Sequence, residues 1–457
     1  MPLLSLPHGV RRRRGAASVT TVVSVLAAIS LAACSGPGSS SSTSAAAVTP
    51  TAVSTAVGST PTTLTLFTGA GTKAFSQGLA DAFHAKYPAI TITLQVEADN
   101  NYNTVLPRLL ASNSPPDIAA PSDLLQGVKD NLLTNLDPYS QAYGWSQKVP
   151  STILAAGEVN NGVIGSGPLY EAGGAAGPLV GVFYNKSLAA KVGMTQVPAT
   201  LADLEAVMAK AKSMGITPIV ASNGDGLIGH LYDLLLAEYM GPQQLLDVVW
   251  HKPGATLDTA GARQATATLA DWMKKGYFNS DANAINQDAS YGEFASGKGL
   301  FMVQGTWITQ ALPKAFAGHY GIFPLPPKTA GGTVVSMTGN SLAFSIPAHS
   351  THKDAAALFL NFLTTPEAAK VAADNGYPSA VGASATTLSL TMPLTDQIQA
   401  GYSEVAAGNG FTQWLQNADT SMTPALTAQL QSLLAGKTTP DAMVSSLQST
   451  YAAALGQ

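Results

Sequence analysis

The loop Gln304-Gly305-Thr306-Trp307 is the strongest candidate for a ligand-binding surface in the chain. It follows an apolar run, residues 300–303, that predicts a buried strand, and open α/β sheets bind ligands beyond the carboxyl ends of their strands. Trp307 offers a flat apolar face with one polar edge, and Gly305 lets the backbone approach a ligand closely. The same position also suits a tryptophan that packs in the core over the end of the sheet, and this segment alone favours neither interpretation.

Motifs for catalysis, metals and phosphates are absent from the sequence. It contains no GxSxG, and its 7 histidines show no ligand spacing such as HExxH. The turn Gly69-Ala70-Gly71 lacks the spacing of a phosphate-binding loop, and residues 223–226 lack the pattern of a calcium loop. We therefore expect a protein that is not an enzyme and that holds no metal or cofactor.

The N-terminus has the layout of a lipoprotein signal peptide. Four arginines, residues 11–14, precede an apolar segment, residues 16–33, which ends in Leu-Ala-Ala directly before Cys34. Cys34 is the only cysteine, so it cannot form an intramolecular disulfide, and its setting resembles the lipobox in which the cysteine is acylated. Residues 35–62, mostly Ser, Thr, Ala, Gly, Val and Pro, predict a flexible tether. We expect residues 1–33 to be removed and Cys34 to anchor the chain on the outer face of the cell membrane.

The charge of the chain excludes one class of partner. Removing residues 1–33 leaves 19 of the 23 basic residues and all 27 acidic residues, a net charge of −8. A protein with that charge is not expected to bind nucleic acid.

The order of apolar patterns predicts how the remaining residues fold. Alternating strands at residues 64–67 and 90–96 are each followed by a helical pattern, with a polar turn at residues 99–101, and a third strand starts near Pro115. Alternation of strand and helix favours parallel, doubly wound sheets. A chain of 457 residues exceeds what one hydrophobic core organises, so two lobes are expected.

Six segments in a fixed order carry a resemblance that covers residues 64–455. They are DAFHAKYPAITITLQV (81–96), PPDIAAPSD (115–123), FYNKSLAAKVGM with PATLADLEAVMAKAKSMGITPI (183–219), FASGKGLFMVQGTW (294–307), the run from Gly339 to Ala380, and LLAGKTTPDAM (433–443). In this order they resemble the family 1 extracellular solute-binding proteins, the sugar receptors of ATP-driven (ABC) importers, related to maltose-binding protein.

The resemblance implies a periplasmic-binding-protein-like α/β fold, with two doubly wound lobes joined by a hinge of several crossings. The N-terminal lobe would comprise residues 63–179 and 339–363, and the C-terminal lobe residues 180–338 and 364–457. It also implies a monomeric receptor that binds a mono- or oligosaccharide between the lobes and passes it to the permease subunits of an ABC importer, by closure of the hinge.

The family motifs place the ligand contacts on loops from both lobes. Trp307 matches a stacking tryptophan, and Asp123 offers a carboxylate to sugar hydroxyls, although it suits a helix N-cap equally well. The other residues expected in the site are Gly69, Thr72, Asn100, Ser122, Asn223, Asp288, Tyr291, Gly339, Asn340 and Trp414.

Two other functions remain open from the sequence. A receptor for a non-sugar solute, such as a polyamine, a metal chelate or a peptide, would share the fold; a polyamine site would need several carboxylates beside aromatic rings. An exported glycoside hydrolase would need two carboxylates about 5–10 Å apart, for which Asp123, Glu171 and Asp288 are candidates, but none lies in a catalytic motif.

Overall fold

The computed structural model describes residues 53–56, 58–121, 123–149, 151–173, 177–311, 318–337, 343–375, 377 and 394–456. Cys34, Ser122, Gly339 and Asn340, together with the expected signal peptide and most of the expected tether, lie outside the described residues. Of the helices described, none combines the length and the apolar character needed to cross a membrane.

Strands and helices alternate through the first part of the chain, and helices predominate towards its end. The strands are β1 (Thr62–Gly69), β2 (Ile90–Glu97), β3 (Glu158–Asn160), β4 (Val163–Leu169), β5 (Ala172–Gly173), β6 (Val180–Asn185), β7 (Thr217–Ile219), β8 (Gly299–Gly305), β9 (Tyr320–Phe323), β10 (Ser336–Met337), β11 (Ala343–Phe344) and β12 (Phe411–Thr412). The helices are α1 (Lys73–Lys86), α2 (Asp99–Leu110), α3 (Leu124–Lys129), α4 (Asp137–Tyr143), α5 (Ser151–Ala155), α6 (Lys186–Lys191), α7 (Leu201–Ser213), α8 (Ile228–Met240), α9 (Pro242–Val249), α10 (Ala260–Lys274), α11 (Gln287–Ala295), α12 (Ile308–Ala311), α13 (Lys353–Phe362), α14 (Pro366–Asp374), α15 (Thr395–Ala407), α16 (Met422–Leu434) and α17 (Pro440–Ala454).

The first sheet is parallel, as the sequence predicts. Strand β1 pairs with β2 from Thr62 opposite Ile90 to Gly69 opposite Glu97, and Leu66 forms a further parallel bridge with Ile118. The alternation seen in the sequence becomes alternation of burial at the start of β1, where Leu64 and Leu66 are fully buried and the threonines beside Leu64 are not; from Leu66 to Gly69 every residue is buried. The connection from β1 to β2 is α1, whose buried side places Phe75, Leu79 and Phe83 against the sheet.

The second sheet differs from the expectation of parallel strands. Its order is β7-β8-β6-β9; β7 and β8 are parallel, whereas β6 runs antiparallel to both β8 and β9. The period of the hydrophobic pattern indicates a strand but does not indicate its direction, which depends on the long connections between β6 and β9. Six of the seven residues of β8 are buried, as expected for a central strand.

The predicted polar turn at residues 99–101 is wrong. These residues form the first turn of α2, after Ala98 in an extended conformation. Polar residue types are favoured at helix starts as well as in turns, because the first N–H groups of a helix lack partners in the helix, so a polar cluster that predicts a turn suits a helix start equally well. The predicted cap of α7 is confirmed: the Thr200 hydroxyl accepts from Asp203 N, and the Asp203 carboxylate accepts from Thr200 N at 3.0 Å.

Two large clusters of buried apolar side chains hold the fold together. The first core contains α1, the β1–β2 sheet, α13 and α14; the second core contains the sheet around β8, with α7, α8, α10, α16 and α17. Helix α14 was expected in the C-terminal lobe, but its Ala368 and Ala372 pack in the first core. Small side chains allow this close approach to α1, where a Cβ on Gly78 would lie 3.0 Å from Val371.

Candidate functional site

A cleft of about 1800 Å³ lies between residues 103–171 on one side and residues 230–455 on the other. The first side is lined by Asn103, Ala120, Asp123, Val159, Ile164 and Glu171 among others, and the second side by His230, Lys252, Trp307, Gln413 and Trp414 among others. The described lining therefore combines aromatic rings, amides and carboxylates, which are the groups that bind polar ligands with apolar faces.

The two sides of the cleft also contact each other directly. Val249 and Trp250, at the end of α9, pack against Val159 and Ile164 of the β3–β4 hairpin, and Ile164 N donates to Trp250 O at 3.2 Å. The hairpin can approach because Gly165 carries no side chain where the Trp250 ring lies. This contact joins the cleft walls through apolar packing.

Trp307 lies at the carboxyl end of β8, where the sequence places it, and its partly buried side chain lines the cleft. The loop is attached to β6, because Thr306 N donates to Leu179 O at 3.0 Å and Leu179 N donates to Thr306 Oγ1 at 3.3 Å. The indole ring lies back over Gly305, and a Cβ on Gly305 would overlap it. A glycine is thus required for the observed orientation of the ring.

Three residues behind Trp307 fix its indole ring. Trp307 Nε1 donates to the Tyr291 hydroxyl oxygen at 3.0 Å, and this oxygen also accepts from Gln287 Nε2. Gln287 N in turn donates to Asp225 Oδ2 at 2.6 Å. Tyr291 was expected to contact ligand, but it is buried and supports the tryptophan instead; burial raises the pKa of its hydroxyl. The polar edge of Trp307 is therefore satisfied inside the protein, which leaves its face for a ligand.

His230 and Trp414 extend the aromatic surface beside Trp307. The ring centroids of His230 and Trp307 are 5.6 Å apart, those of His230 and Trp414 6.4 Å, and those of Trp307 and Trp414 6.3 Å. All three residues line the cleft. The sequence predicts Trp307 and Trp414, but it offers no signal for His230, a single histidine among the apolar residues of α8.

The remaining predicted site residues are placed differently from one another. Asp123 lines the cleft and also caps α3, because its Oδ1 accepts from Gln126 N at 2.8 Å, so both interpretations of this residue agree with the structure. Gly69 and Thr72 are not among the residues that line the cleft, and the Thr72 hydroxyl bonds to Thr68 Oγ1 at 3.0 Å.

Asn223, Asp288 and Asn100 are on three different elements. Asn223 is fully buried outside the cleft lining, and its amide donates to Asn283 Oδ1 at 2.6 Å. Asp288 is exposed in the first turn of α11, and Asn100 lies in the first turn of α2. Within the described parts of the chain, no group of three or more His, Cys, Asp or Glu residues is arranged to hold a metal ion.

Burial of His230 predicts how stability depends on pH. Burial lowers the pKa of the imidazole from 6.5 to about 4, so the unfolded chain binds more protons than the folded chain between these values. The free energy of unfolding is therefore expected to fall as the pH falls from 6.5 to 4. At about 1.4 kcal/mol per pKa unit, the loss from this group is about 3 kcal/mol.

Asp233, on the same helix, changes stability with pH in the opposite direction to His230. Comparison of the wild-type protein with His230→Phe therefore isolates the contribution of His230 to the pH dependence of the unfolding free energy. Burial raises the pKa of the Asp233 carboxyl, which lowers stability as the pH rises. Urea unfolding of both proteins across this pH range gives the difference between them. If the difference in unfolding free energy between the two proteins did not change with pH, burial would not lower the pKa of His230.

Comparison with known proteins supports the same architecture. The family model for the bacterial extracellular solute-binding protein matches residues 68–370. No curated protein sequence matches the chain.

Several solved structures share the fold. A chitin oligosaccharide binding protein is 21% identical, covers 86% of this chain and 99% of its own, and superposes with a TM-score of 0.71. The GacH receptor of Streptomyces glaucescens, solved without ligand and with acarbose, is 20% identical, with coverages of 87% and 99% and a TM-score of 0.70. RafE in complex with raffinose is 19% identical, with coverages of 85% and 98% and a TM-score of 0.66. This likeness confirms the predicted two-lobed, periplasmic-binding-protein-like α/β fold.

Proposed function

The chain belongs to the family of bacterial extracellular solute-binding proteins, and on that premise we propose that it is a receptor that captures an oligosaccharide in the cleft. The observation that carries the proposal is that the partly buried indole of Trp307 lines the cleft, held in place by the hydrogen bond from its N–H to Tyr291. One face of a sugar ring presents C–H groups that pack on an aromatic ring, and its hydroxyls need fixed polar partners at the rim.

The size of the cleft favours an oligosaccharide over a monosaccharide. Pockets for small ligands typically measure about 300–1000 Å³, and this cleft measures about 1800 Å³. Its aromatic surface has two indole rings, so it suits more than one sugar ring. The solved structures similar to this chain include a chitin oligosaccharide binding protein and complexes with acarbose and raffinose, which supports the choice of ligand class.

Polar groups for the hydroxyls are present on both sides of the cleft. Asp123 and Glu171 lie on the side formed by residues 103–171, and Gln413 is next to Trp414 in the chain on the other side. A carboxylate accepts from two neighbouring hydroxyls, and a carboxamide both donates and accepts. Neither the carboxylates nor the carboxamide has to react with a sugar in order to bind it. We therefore propose that the protein binds its ligand without changing it chemically.

We further propose that the protein is anchored outside the cell and delivers its ligand to an importer. Membership of an extracellular solute-binding family supports export, and the lipobox-like setting of Cys34 supports lipid anchoring on the outer face of the membrane. Closure of the two lobes around the saccharide would then present the receptor to the permease subunits of an ABC importer.

A polyamine is the second candidate ligand, because acidic side chains outnumber basic ones in the described lining. The acidic residues are Asp123, Asp130, Glu171 and Asp419, and the basic residues are Lys129 and Lys252. Carboxylates beside aromatic rings bind ammonium groups through charge pairing and cation–π contact.

A thermal-shift experiment separates the two candidates. The purified protein is melted with increasing amounts of oligosaccharides, of their monosaccharide units, and of spermidine. A ligand that binds the folded state stabilises it by about 2.7 kcal/mol at one hundred times its Kd. We expect an oligosaccharide to raise the melting temperature and its monosaccharide to do so only weakly. A shift with spermidine alone would replace the sugar by a polyamine, and an equal shift with the monosaccharide would remove the size argument.

A further inference from the structure

We propose that His230 is a positioning residue of the binding site, whose imidazole ring sets the angle at which Trp307 and Trp414 face the ligand. This inference rests on the proposed function and adds to it a residue that no motif in the sequence marks. If His230 sets the angles of the two indoles, replacing it changes their orientation in the ligand-free protein as well as the affinity for the ligand.

The rings of His230, Trp307 and Trp414 contact one another at defined angles. His230 meets Trp307 at an interplanar angle of 70° and Trp414 at 55°, while the two indoles are tilted by 46° to each other. The contact between His230 and Trp307 is edge-to-face, an arrangement that the quadrupoles of aromatic rings favour, and the other two pairs are tilted. His230 thus contacts both indoles, and a change in its ring would release both.

His230 is itself held in place by its surroundings. It is the third residue of α8, and the start of this helix is attached by the bond from Ile228 N to Ser222 O at 3.0 Å. Its imidazole lies close enough to the Gln304 side chain for that amide to influence the pKa of the ring, and Gln304 Oε1 accepts from Gly305 N at 3.1 Å. Gln304 therefore lies between the imidazole and the backbone that leads to Trp307.

For packing alone, an apolar ring at this position would leave fewer polar atoms without a hydrogen-bond partner. His230 is 8% exposed, and its Nδ1 has no hydrogen-bond partner among the described residues. A buried polar atom without a partner lowers stability, and such groups often mark a functional requirement. A phenyl ring at this position would keep the contacts with both indoles without the unsatisfied nitrogen, so His230→Phe separates the contribution of the ring from that of its polar atoms.

The charge state of His230 suits this role. Burial lowers the pKa of the imidazole to about 4, against a smaller opposing effect of Gln304 and of Asp225 in the preceding loop, so the ring is neutral near pH 7. A neutral ring leaves the surface formed with the two indoles uncharged. That surface is suited to the apolar face of an uncharged ligand and provides no cation for an anionic one.

The test uses fluorine-labelled tryptophan, whose NMR resonances report the surroundings of each of the 5 indoles and are assigned by replacing each Trp with Phe. His230→Ala is expected to shift the resonances of Trp307 and Trp414 in the ligand-free protein, to leave those of Trp145 and Trp272 in place, and to lower oligosaccharide affinity about tenfold or more. His230→Phe is expected to restore much of the indole geometry and of the affinity. His319→Ala, at an exposed histidine, is the matched control and should change neither readout.

The experiment distinguishes failure of the role proposed for His230 from failure of the proposed function. If no saccharide binds the wild-type protein, the proposed function fails, and the resonances still decide whether His230 orients the indoles. Unchanged Trp307 and Trp414 resonances in His230→Ala would overturn the proposal, as would shifted resonances with wild-type affinity. Should His230→Ala unfold, His230→Gln, which keeps a polar side chain without the ring, takes its place in the same comparison.

Discussion

Replacing Trp307 by alanine is expected to lower the affinity for the oligosaccharide at least about thirtyfold. Trp307 presents its face to the cleft and has its N–H satisfied by Tyr291, so truncation removes the stacking surface itself. Loss of a central aromatic contact typically costs about 2 kcal/mol or more, and each 1.4 kcal/mol is about a tenfold change in Kd. Isothermal titration calorimetry of the wild-type protein and of Trp307→Ala measures this difference.

Trp272 provides the matched comparison for Trp307. It is 1% exposed in α10 and packs in the second core. Trp272→Phe should lower the melting temperature through lost packing and leave the affinity unchanged. If Trp307→Ala bound the oligosaccharide as tightly as the wild-type protein and only its stability fell, Trp307 would be a core residue like Trp272.

Adding one methyl group at Gly305 is expected to weaken binding nearly as much as removing the indole. A Cβ at this position would overlap the six-membered ring of Trp307, so Gly305→Ala forces the ring to move and breaks its bond to Tyr291. Because the new methyl group touches a side chain rather than backbone, we expect the protein to stay folded. Calorimetry and near-ultraviolet circular dichroism together report the lost affinity and the displaced indole.

Gly292 is the control for this substitution, since a Cβ there would meet no atom within 4 Å. It lies in α11, where alanine is a better helix former than glycine by about 1 kcal/mol. Gly292→Ala should therefore bind as the wild-type protein does and unfold at an equal or higher temperature. Wild-type affinity in Gly305→Ala would show that the observed orientation of the Trp307 ring is not needed for binding.

Much of the local structure follows from patterns in the sequence. Four apolar residues between turn signals predict β8, and the polar residues around Gly305 predict that the strand ends before Trp307. The spacing of Thr200 and Asp203 predicts the cap of α7, because the two side chains reach each other's backbone N–H groups. These features depend on interactions between residues close in the chain, which a single sequence records well.

Other features depend on contacts between distant segments, and the sequence does not reveal them. The direction of β6 and the packing of α14 on α1 are set by long connections and by complementary helix surfaces. His230 meets Trp307 and Trp414 only because α8, the end of β8 and the segment after β12 converge at the cleft. Tyr291 was expected to face the ligand, yet the fold places its hydroxyl behind the indole.

A crystal structure of the protein with the oligosaccharide that gives the largest thermal shift tests the central claim most directly. The account predicts a saccharide in the cleft, with one sugar ring stacked on the face of Trp307 and its hydroxyls on polar groups from both lobes. A saccharide bound elsewhere, or in the cleft without contact to Trp307, would contradict it.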